Sequence, residues 1–240
     1  TELVDEHRIC KAEKVNVIPL GFDLSRFQDD REKKRALFRH VYGIAADEIA
    51  IGIVGRLVPI KNHDLFIDVI ARMERRTGKK VRAFVVGDGE ERERLQQSVQ
   101  EMGLSQVNGP YFNGHGFGHG VNGKPAVDRA SITFTSWIKE VDIVTAGLDI
   151  MMLTSLNEGT PVSLIEAQAA NLPVISTNVG GIENVVVQGK TGFLHDSGDA
   201  NGLTDSLLQL VEDEGLRKRM AAEGWDHVRE KYHYTRLVAD

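Results

Sequence analysis

The chain has 240 residues, of which 41% are hydrophobic and 27% charged, a globular composition that excludes disordered, collagen-like and disulfide-rich classes. Its net charge of −6 argues against a dedicated nucleic-acid binder, which needs a basic footprint. The single cysteine, Cys10, cannot form an internal disulfide, and no apolar run approaches the roughly 18 residues that span a bilayer. We therefore expect a cytoplasmic protein.

Short apolar runs rich in β-branched residues alternate with amphipathic stretches along the chain. The predicted strands are Val15–Leu20, Ala50–Val54, Val81–Val86, Ile132–Phe134, Ile150–Leu153, Val174–Ser176 and Phe193–Leu194. The predicted helices are Glu32–Tyr42, Asp64–Arg76, Glu91–Met102, Pro161–Ala170, Leu203–Glu212 and Leu216–Lys231. Near-continuous apolar runs are typical of parallel strands buried on both faces. The alternation predicts an α/β fold built on a doubly wound parallel sheet, which binds ligands at the carboxyl ends of its strands.

Glycines and capping residues mark where the predicted helices begin and end. Gly43 and Gly103 each follow a periodic segment and predict left-handed helix ends, whereas Thr160 is the predicted N-cap of the helix that Pro161 opens. The basic run Arg31–Arg39 is interpreted as a solvated helix face, with contact to anionic lipid or a partner as the alternative.

One segment breaks the alternation. Residues 107–129 are rich in glycine and asparagine and lack periodicity, so we expect a surface insertion there. Two histidines within it, His115 and His119, lack a third ligand of fixed spacing, and we expect no metal site.

The most informative stretch is SLNEGTPVSLIE, which ends at Glu166. It takes a strand end through a loop carrying Glu158 into a helix start whose free backbone N–H groups form an anion site. Glu166 shares a helix face with Ser163 and could accept hydrogen bonds from a ribose diol. The alternative is that Glu166 is a solvated helix residue and Glu158 a loop charge.

Three other strand ends carry glycines or cations. Arg56 and Lys61 follow a buried strand and could neutralise a diphosphate, although a pair of exposed loop cations is the alternative reading. The VVGDGE turn lacks the third glycine of a dinucleotide fingerprint and is interpreted as a tight turn. Gly180 and Gly181 follow a further strand, where backbone can approach a ligand closely.

The order of these motifs resembles the donor-binding half of the retaining family 4, or group one, glycosyltransferases, which have the GT-B fold. The matching pieces are IPLGFD at Ile18–Asp23, G-R-L-x3-K at Gly55–Lys61, VVGDGE at Val85–Glu90, the pair Glu158 and Glu166, and the stretch from Gly180 to Leu194. The resemblance covers about residues 15–235, and the shared order of the pieces makes it specific.

The resemblance implies metal-free, retaining transfer of a sugar from a UDP-, GDP- or ADP-sugar, with no cofactor. It implies catalytic roles for Arg56 and Lys61, which would hold the diphosphate and stabilise leaving-group charge, and for Glu158, which would contact the sugar. The other implied substrate-binding positions are Gly55, Gly159, Thr160, Pro161, Val162, Glu166 at the ribose and Ile138 near the base. Asn184 stands where the family often has a glutamate, which leaves the choice of donor open.

The resemblance also implies partners. A GT-B enzyme binds its acceptor, here a glycan, lipid or small molecule, mainly through an N-terminal domain. We therefore expect residues 1–14 to be a linker remnant and residues 15–240 the nucleotide-sugar-binding domain. The intact enzyme could contact the inner face of a membrane peripherally. A non-catalytic nucleotide-sugar-binding module and a GT-B sugar-nucleotide epimerase, which should differ in its acidic and histidine residues, are the alternatives.

Overall fold

The computed structural model describes residues 20–110 and 129–239, together with Lys11, Glu13 and Ile18. Cys10, His115 and His119 lie outside the described residues, as do most of the predicted linker and of the predicted strand at Val15–Leu20. The predictions made for them stay predictions.

Within the described part of the chain, seven strands form one parallel sheet in the order β3-β4-β2-β1-β5-β6-β7. The strands are β1 (Glu48–Val54), β2 (Lys80–Val86), β3 (Gln106–Asn108), β4 (Ile132–Phe134), β5 (Ile150–Leu153), β6 (Val174–Thr177) and β7 (Gly192–His195). The helices are α1 (Arg31–Tyr42), α2 (His63–Glu74), α3 (Arg92–Glu101), α4 (Val141–Gly147), α5 (Val162–Ala169), α6 (Ala200–Glu212), α7 (Glu214–Tyr232) and α8 (Tyr234–Ala239). Single 3-10 turns occupy Ser25–Phe27, Pro59–Lys61 and Ile182–Asn184.

Helices cover both faces of the sheet, which confirms the predicted doubly wound α/β fold. One buried cluster joins apolar residues of α1, α4, α5 and α7 to the sheet, and it includes Phe38, Leu164 and Phe84. A second joins α2, α3 and α6 to the other face, for example Phe66 and Leu207. Strands buried on both sides explain the near-continuous apolar runs.

Three local predictions need correction. Helix α5 begins at Val162, and its N-cap is Pro161 rather than Thr160, because the carbonyl of Pro161 accepts the first helical bonds and no side chain caps the end. Val107 and Asn108, predicted to open the insertion, belong to the edge strand β3 and pair with β4. Helix α4 was not predicted, because its seven residues are too few to show a clear period.

The basic run in α1 is not simply a solvated face. Asp149, which precedes β5, accepts bonds from Arg35 at 2.7 Å and from the buried Arg39 at 3.1 Å. It also accepts from the backbone N–H of Ala50 at 2.8 Å. These bonds tie α1 to the amino edge of the sheet and leave the carboxyl edge to the other loops.

Candidate functional site

Four loops meet at the carboxyl edge of the sheet, and hydrogen bonds between their backbones fix them to one another. We name them the β1 loop (55–62), β2 loop (87–91), β5 loop (154–161) and β6 loop (178–181). The β1 loop donates to the β2 loop from Leu57 to Asp88 at 3.0 Å, and the β5 loop donates from Leu156 back to Ile60 at 2.8 Å. The β6 loop donates from Gly181 to the carbonyl of Glu158 at 2.9 Å. The predicted motifs therefore share one surface.

Glycines make the close contact between these loops possible. Gly87 has φ +144°, and a Cβ there would lie 1.9 Å from the carbonyl oxygen of Gly55. Gly180 has φ +55°, and its Cβ would lie 2.0 Å from the carbonyl oxygen of Glu158. Gly180 and Gly181 thus allow the β6 loop to approach the neighbouring β5 loop closely, and their approach to a ligand stays a prediction.

The two charged residues predicted for the diphosphate and the sugar are in direct contact. Lys61 Nζ donates to Oε1 of Glu158 at 2.5 Å, and the Ser155 hydroxyl donates to the same oxygen at 2.6 Å. The lysine side chain is 24% exposed and the glutamate side chain 10%, so the pair is partly desolvated. The Coulomb attraction within such a pair is less screened by solvent than the attraction within a pair on an open surface.

Buried hydroxyls support both partners of this ion pair from behind. The Thr154 hydroxyl donates to the carbonyl oxygens of Lys61 at 3.2 Å and Asn62 at 2.9 Å. The Thr177 hydroxyl at the end of β6 donates to the carbonyl oxygen of Ser155 at 2.6 Å. Both threonines are fully buried, so the loops that carry Lys61 and Glu158 are anchored to the sheet.

Arg56 and part of the β5 loop face solvent. Arg56 is exposed, and its guanidinium makes no hydrogen bond or ion pair with the described residues. Gly159 and Thr160 of the β5 loop are also exposed, and the backbone N–H groups of Val162 and Ser163 donate to no described residue. A helix start with free N–H groups, at the same edge of the sheet as two cations, is suited to an anion.

Glu166 lies on the second turn of α5, half-buried, and accepts no hydrogen bond from the part of the chain that the structure describes. Burial raises the pKa of Glu166 to about 7, with Arg26 opposing the rise and Asp142 adding to it. Asp142 itself is bonded to Arg26 at 2.8 Å and to Lys34 at 2.9 Å. A partly desolvated carboxylate without a donor is suited to accept hydrogen bonds from a ligand.

Ile138 occupies a different environment from the other predicted site residues. Its side chain is 3% exposed and belongs to the core, so only its backbone could meet a ligand. The neighbouring Trp137 is 53% exposed at the same edge of the sheet. Sequence reasoning named Ile138 from the resemblance and did not name Trp137.

Two negative findings concern metals and membranes. Among the described residues, no group of three or more histidine, cysteine, aspartate or glutamate side chains is arranged to hold a metal ion. In the same part of the chain, none of the helices combines the length and apolarity needed to cross a bilayer.

A cavity of about 370 Å³ lies at the opposite, amino edge of the sheet, bordered by Asp149 and Pro173, and touches none of the predicted site residues.

Sequence reasoning missed Ser155, which is fully buried and bonded to Glu158. It also missed Arg26 and Asp142, whose charges act on Glu166. Ser155 is the first residue of the stretch SLNEGTPVSLIE, so its place at the strand end, three residues before Glu158, could have identified it. Arg26 and Asp142 are far from Glu166 in sequence, and nothing in the local pattern connects them.

The chain is similar in sequence to curated glycosyltransferases. It is 27% identical over 220 residues to a D-inositol 3-phosphate glycosyltransferase of Corynebacterium urealyticum, covering 89% of this chain and 47% of the relative. It is 37% identical over 91 residues to an N-acetyl-alpha-D-glucosaminyl L-malate synthase of Bacillus anthracis, covering 38% of this chain and 24% of the relative. The chain spans about half the length of the first of these and corresponds to the C-terminal half.

Solved structures share the fold. Anabaena Alr3699/HepE in complex with UDP has a TM-score of 0.77 and 20% identity, covering 97% of this chain and 58% of HepE. The C-terminal domain of a Francisella tularensis group 1 glycosyl transferase, LpcC, has a TM-score of 0.66 and 23% identity, covering 89% of this chain and 99% of that domain.

The family model for group 1 glycosyl transferases matches residues 34–109 and 128–226. The interruption of the match falls within the predicted insertion. With most of the chain matched, and with a Rossmann-like sheet that carries the motifs at its carboxyl edge, the chain belongs to the group 1 glycosyl transferases.

Proposed function

We propose that this chain is the nucleotide-sugar-binding half of a retaining glycosyltransferase. The observation that carries the proposal is the contact between Lys61 and Glu158 at 2.5 Å, beside the free N–H groups at the start of α5. A cation, a carboxylate and a helix start are thereby placed at one edge of the sheet. The structural neighbour HepE was crystallised with UDP and with UDP-glucose, which supports this ligand class.

The proposed chemistry begins with the diphosphate. Lys61 would hold it as a point charge and Arg56 as a planar fork, while the start of α5 contributes the N–H groups of Val162 and Ser163. As the bond between the sugar and the diphosphate breaks, negative charge grows on the leaving oxygen, and these fixed positive groups stabilise it. We propose that the cations serve in place of a metal, so that transfer needs no cofactor.

The two glutamates would bind different parts of the donor. Glu158 is held through one carboxylate oxygen, and its other oxygen would accept a hydrogen bond from a hydroxyl of the sugar. Glu166 would accept hydrogen bonds from the ribose hydroxyls, and its ionised form would thereby gain hydrogen bonds that no described residue supplies. The base would lie over the loop that carries Trp137 and Ile138.

An acceptor glycan, lipid or small molecule would be bound by another part of the intact enzyme. Retention of anomeric configuration, a cytoplasmic location and peripheral contact with a membrane belong to the same proposal.

Isothermal titration of the 240-residue chain with UDP, GDP and ADP, each with and without EDTA, tests nucleotide binding. We expect one of the three to bind, equally well with EDTA. Arg56→Ala and Lys61→Ala should weaken diphosphate binding and leave nucleoside binding unchanged. Binding that required Mg²⁺ or Mn²⁺ would refute the metal-free site, and failure of all three to bind would refute the function.

The intact enzyme, incubated with its nucleotide sugar and candidate acceptors, distinguishes the enzyme classes. Glycosylated product with the donor's anomeric configuration supports retaining transfer. An epimerised nucleotide sugar would instead indicate an epimerase, and binding without turnover a non-catalytic module.

A further inference from the structure

Two donors converge on a single oxygen of Glu158. Lys61 Nζ and Ser155 Oγ lie 2.5 Å and 2.6 Å from Oε1. No described residue donates a hydrogen bond to Oε2. The carboxylate is therefore held through one oxygen, and the other is available to a ligand.

The two donors differ in what a bound diphosphate does to them. Lys61 is a charged group on a flexible stem, and an incoming diphosphate competes with Glu158 for its positive charge. The Ser155 hydroxyl is neutral and is 0% exposed, so it keeps its bond to Glu158 when the diphosphate arrives. Its bond to a carboxylate is of the stronger, charge-assisted kind.

Ser155 is itself rigidly placed. Its carbonyl oxygen accepts the Thr177 hydroxyl at 2.6 Å, which ties the β5 loop to the end of β6. On the other side of Glu158, the backbone N–H of Gly181 bonds the glutamate's own carbonyl at 2.9 Å. The backbone of Glu158 is thus fixed from β6, and Ser155 fixes its side chain.

We propose that Ser155 is a positioning residue that keeps the Glu158 carboxylate aimed at the donor sugar while Lys61 engages the diphosphate. The proposal rests on the proposed function. It predicts that Ser155 contributes to recognition of the sugar and not to recognition of the nucleotide.

The test compares nucleotide with nucleotide sugar in the same variant. Wild type, Ser155→Ala and Ser176→Ala are titrated with UDP, GDP and ADP and with their glucose, N-acetylglucosamine and mannose conjugates. The readout is the affinity for a nucleotide sugar divided by the affinity for its nucleotide. It is followed for the conjugate whose affinity, in the wild type, differs most from that of its nucleotide. Ser176 is the matched control, because it is an equally buried serine whose hydroxyl, among the described residues, donates only to the carbonyl oxygens of Leu153 and Thr177.

We expect Ser155→Ala to change that ratio about tenfold, through a loss of nucleotide-sugar affinity, with nucleotide affinity within about twofold of wild type. Ser176→Ala should leave the ratio unchanged whatever it does to stability. Should Ser155→Ala not fold, Ser155→Cys, with nearly the same shape and a weaker donor, permits the same comparison.

Equal losses for nucleotide and nucleotide sugar in the Ser155 variant would overturn the proposal, as would an unchanged ratio or an equal change in the Ser176 variant. The proposal would also be overturned if the wild type bound a nucleotide and each of its sugar conjugates with the same affinity. Nucleotide binding itself would then still be supported. A wild type that binds no nucleotide refutes the proposed function itself.

Discussion

Replacing Glu166 with glutamine should make the protein more stable and a poorer nucleotide binder. The carboxyl group is half-buried and accepts no hydrogen bond from the described residues, and burial raises its pKa from 4.5 to about 7. The folded state therefore disfavours the ionised form relative to the unfolded chain. Glutamine has nearly the same shape and cannot ionise, so the variant avoids this cost.

The magnitude follows from the shift. One pKa unit corresponds to about 1.4 kcal/mol, so ionising Glu166 costs the folded state about 3 kcal/mol relative to the unfolded state. Because the folded pKa is the higher one, the contribution of Glu166 to stability is most favourable below pH 4.5, falls as pH rises to about 7, and changes little above that. The variant should gain about 2–3 kcal/mol at pH 8 and almost nothing at pH 4.

Urea unfolding of both proteins between pH 4 and pH 8 measures the difference. Glu183→Gln, at an exposed position, controls for the loss of a negative charge. The stability difference should grow with pH only for the Glu166 variant. A constant difference, or a less stable variant at pH 8, would refute the desolvation argument. For the same two proteins in the folded state, the wild type should bind the nucleotide about tenfold more tightly than the variant at pH 8, and the difference should be smaller at pH 6.

Three further substitutions test the loops and the sheet edge. Lys61→Ala should weaken binding of a nucleoside diphosphate by about tenfold or more in calorimetry and leave nucleoside binding unchanged. Gly87→Ala should lower the free energy of unfolding by about 2–4 kcal/mol, because its Cβ meets backbone at 1.9 Å, whereas Gly78→Ala, with no atom within 4 Å, should stay within about 0.5 kcal/mol. Asp149→Ala should cost about 3 kcal/mol by leaving two arginines of α1 without their carboxylate, and Asp47→Ala, at an exposed pair, under about 1 kcal/mol. Equal effects of the paired substitutions in urea titrations would contradict either argument.

The alternation of apolar runs and amphipathic stretches was sufficient to predict the fold class, because strands buried on both faces leave a strong pattern. The ends of the strands were less predictable where a charged side chain is buried. Strand β1 begins at Glu48, two residues before the predicted start, and Glu48 is 3% exposed beside the buried Arg82. A charged residue can extend a buried strand only with such a partner, and the partner comes from another strand. Short elements such as β3 and α4 depend on their neighbours in the same way.

The site shows the same division. Glu158 and Lys61 could be singled out because they follow strand ends, and the topology of a parallel sheet brings those ends together. That the two residues contact each other, and that Ser155 joins them, depends on the path of two loops from different strands. The surroundings of Glu166, which include the charges of Arg26 and Asp142, depend on residues far from it in the sequence. Local patterns therefore predict which residues share an edge, and only the fold determines which side chains meet.

The pairing within the site bears on what it should bind. In the free protein, the charge of Lys61 is balanced by Glu158 at 2.5 Å, so a bare diphosphate must compete with that carboxylate for the lysine. A nucleotide sugar brings both the diphosphate and hydroxyl groups, which can donate hydrogen bonds to Oε2 of Glu158, the oxygen that neither Lys61 nor Ser155 contacts. The hydroxyl groups of the sugar thereby replace the interaction that Glu158 loses when the diphosphate binds Lys61. This matters because a buried carboxylate with too few hydrogen-bond donors is costly. On this argument the site favours the intact donor over the nucleotide that remains after transfer, and removing the Ser155 hydroxyl should reduce that preference.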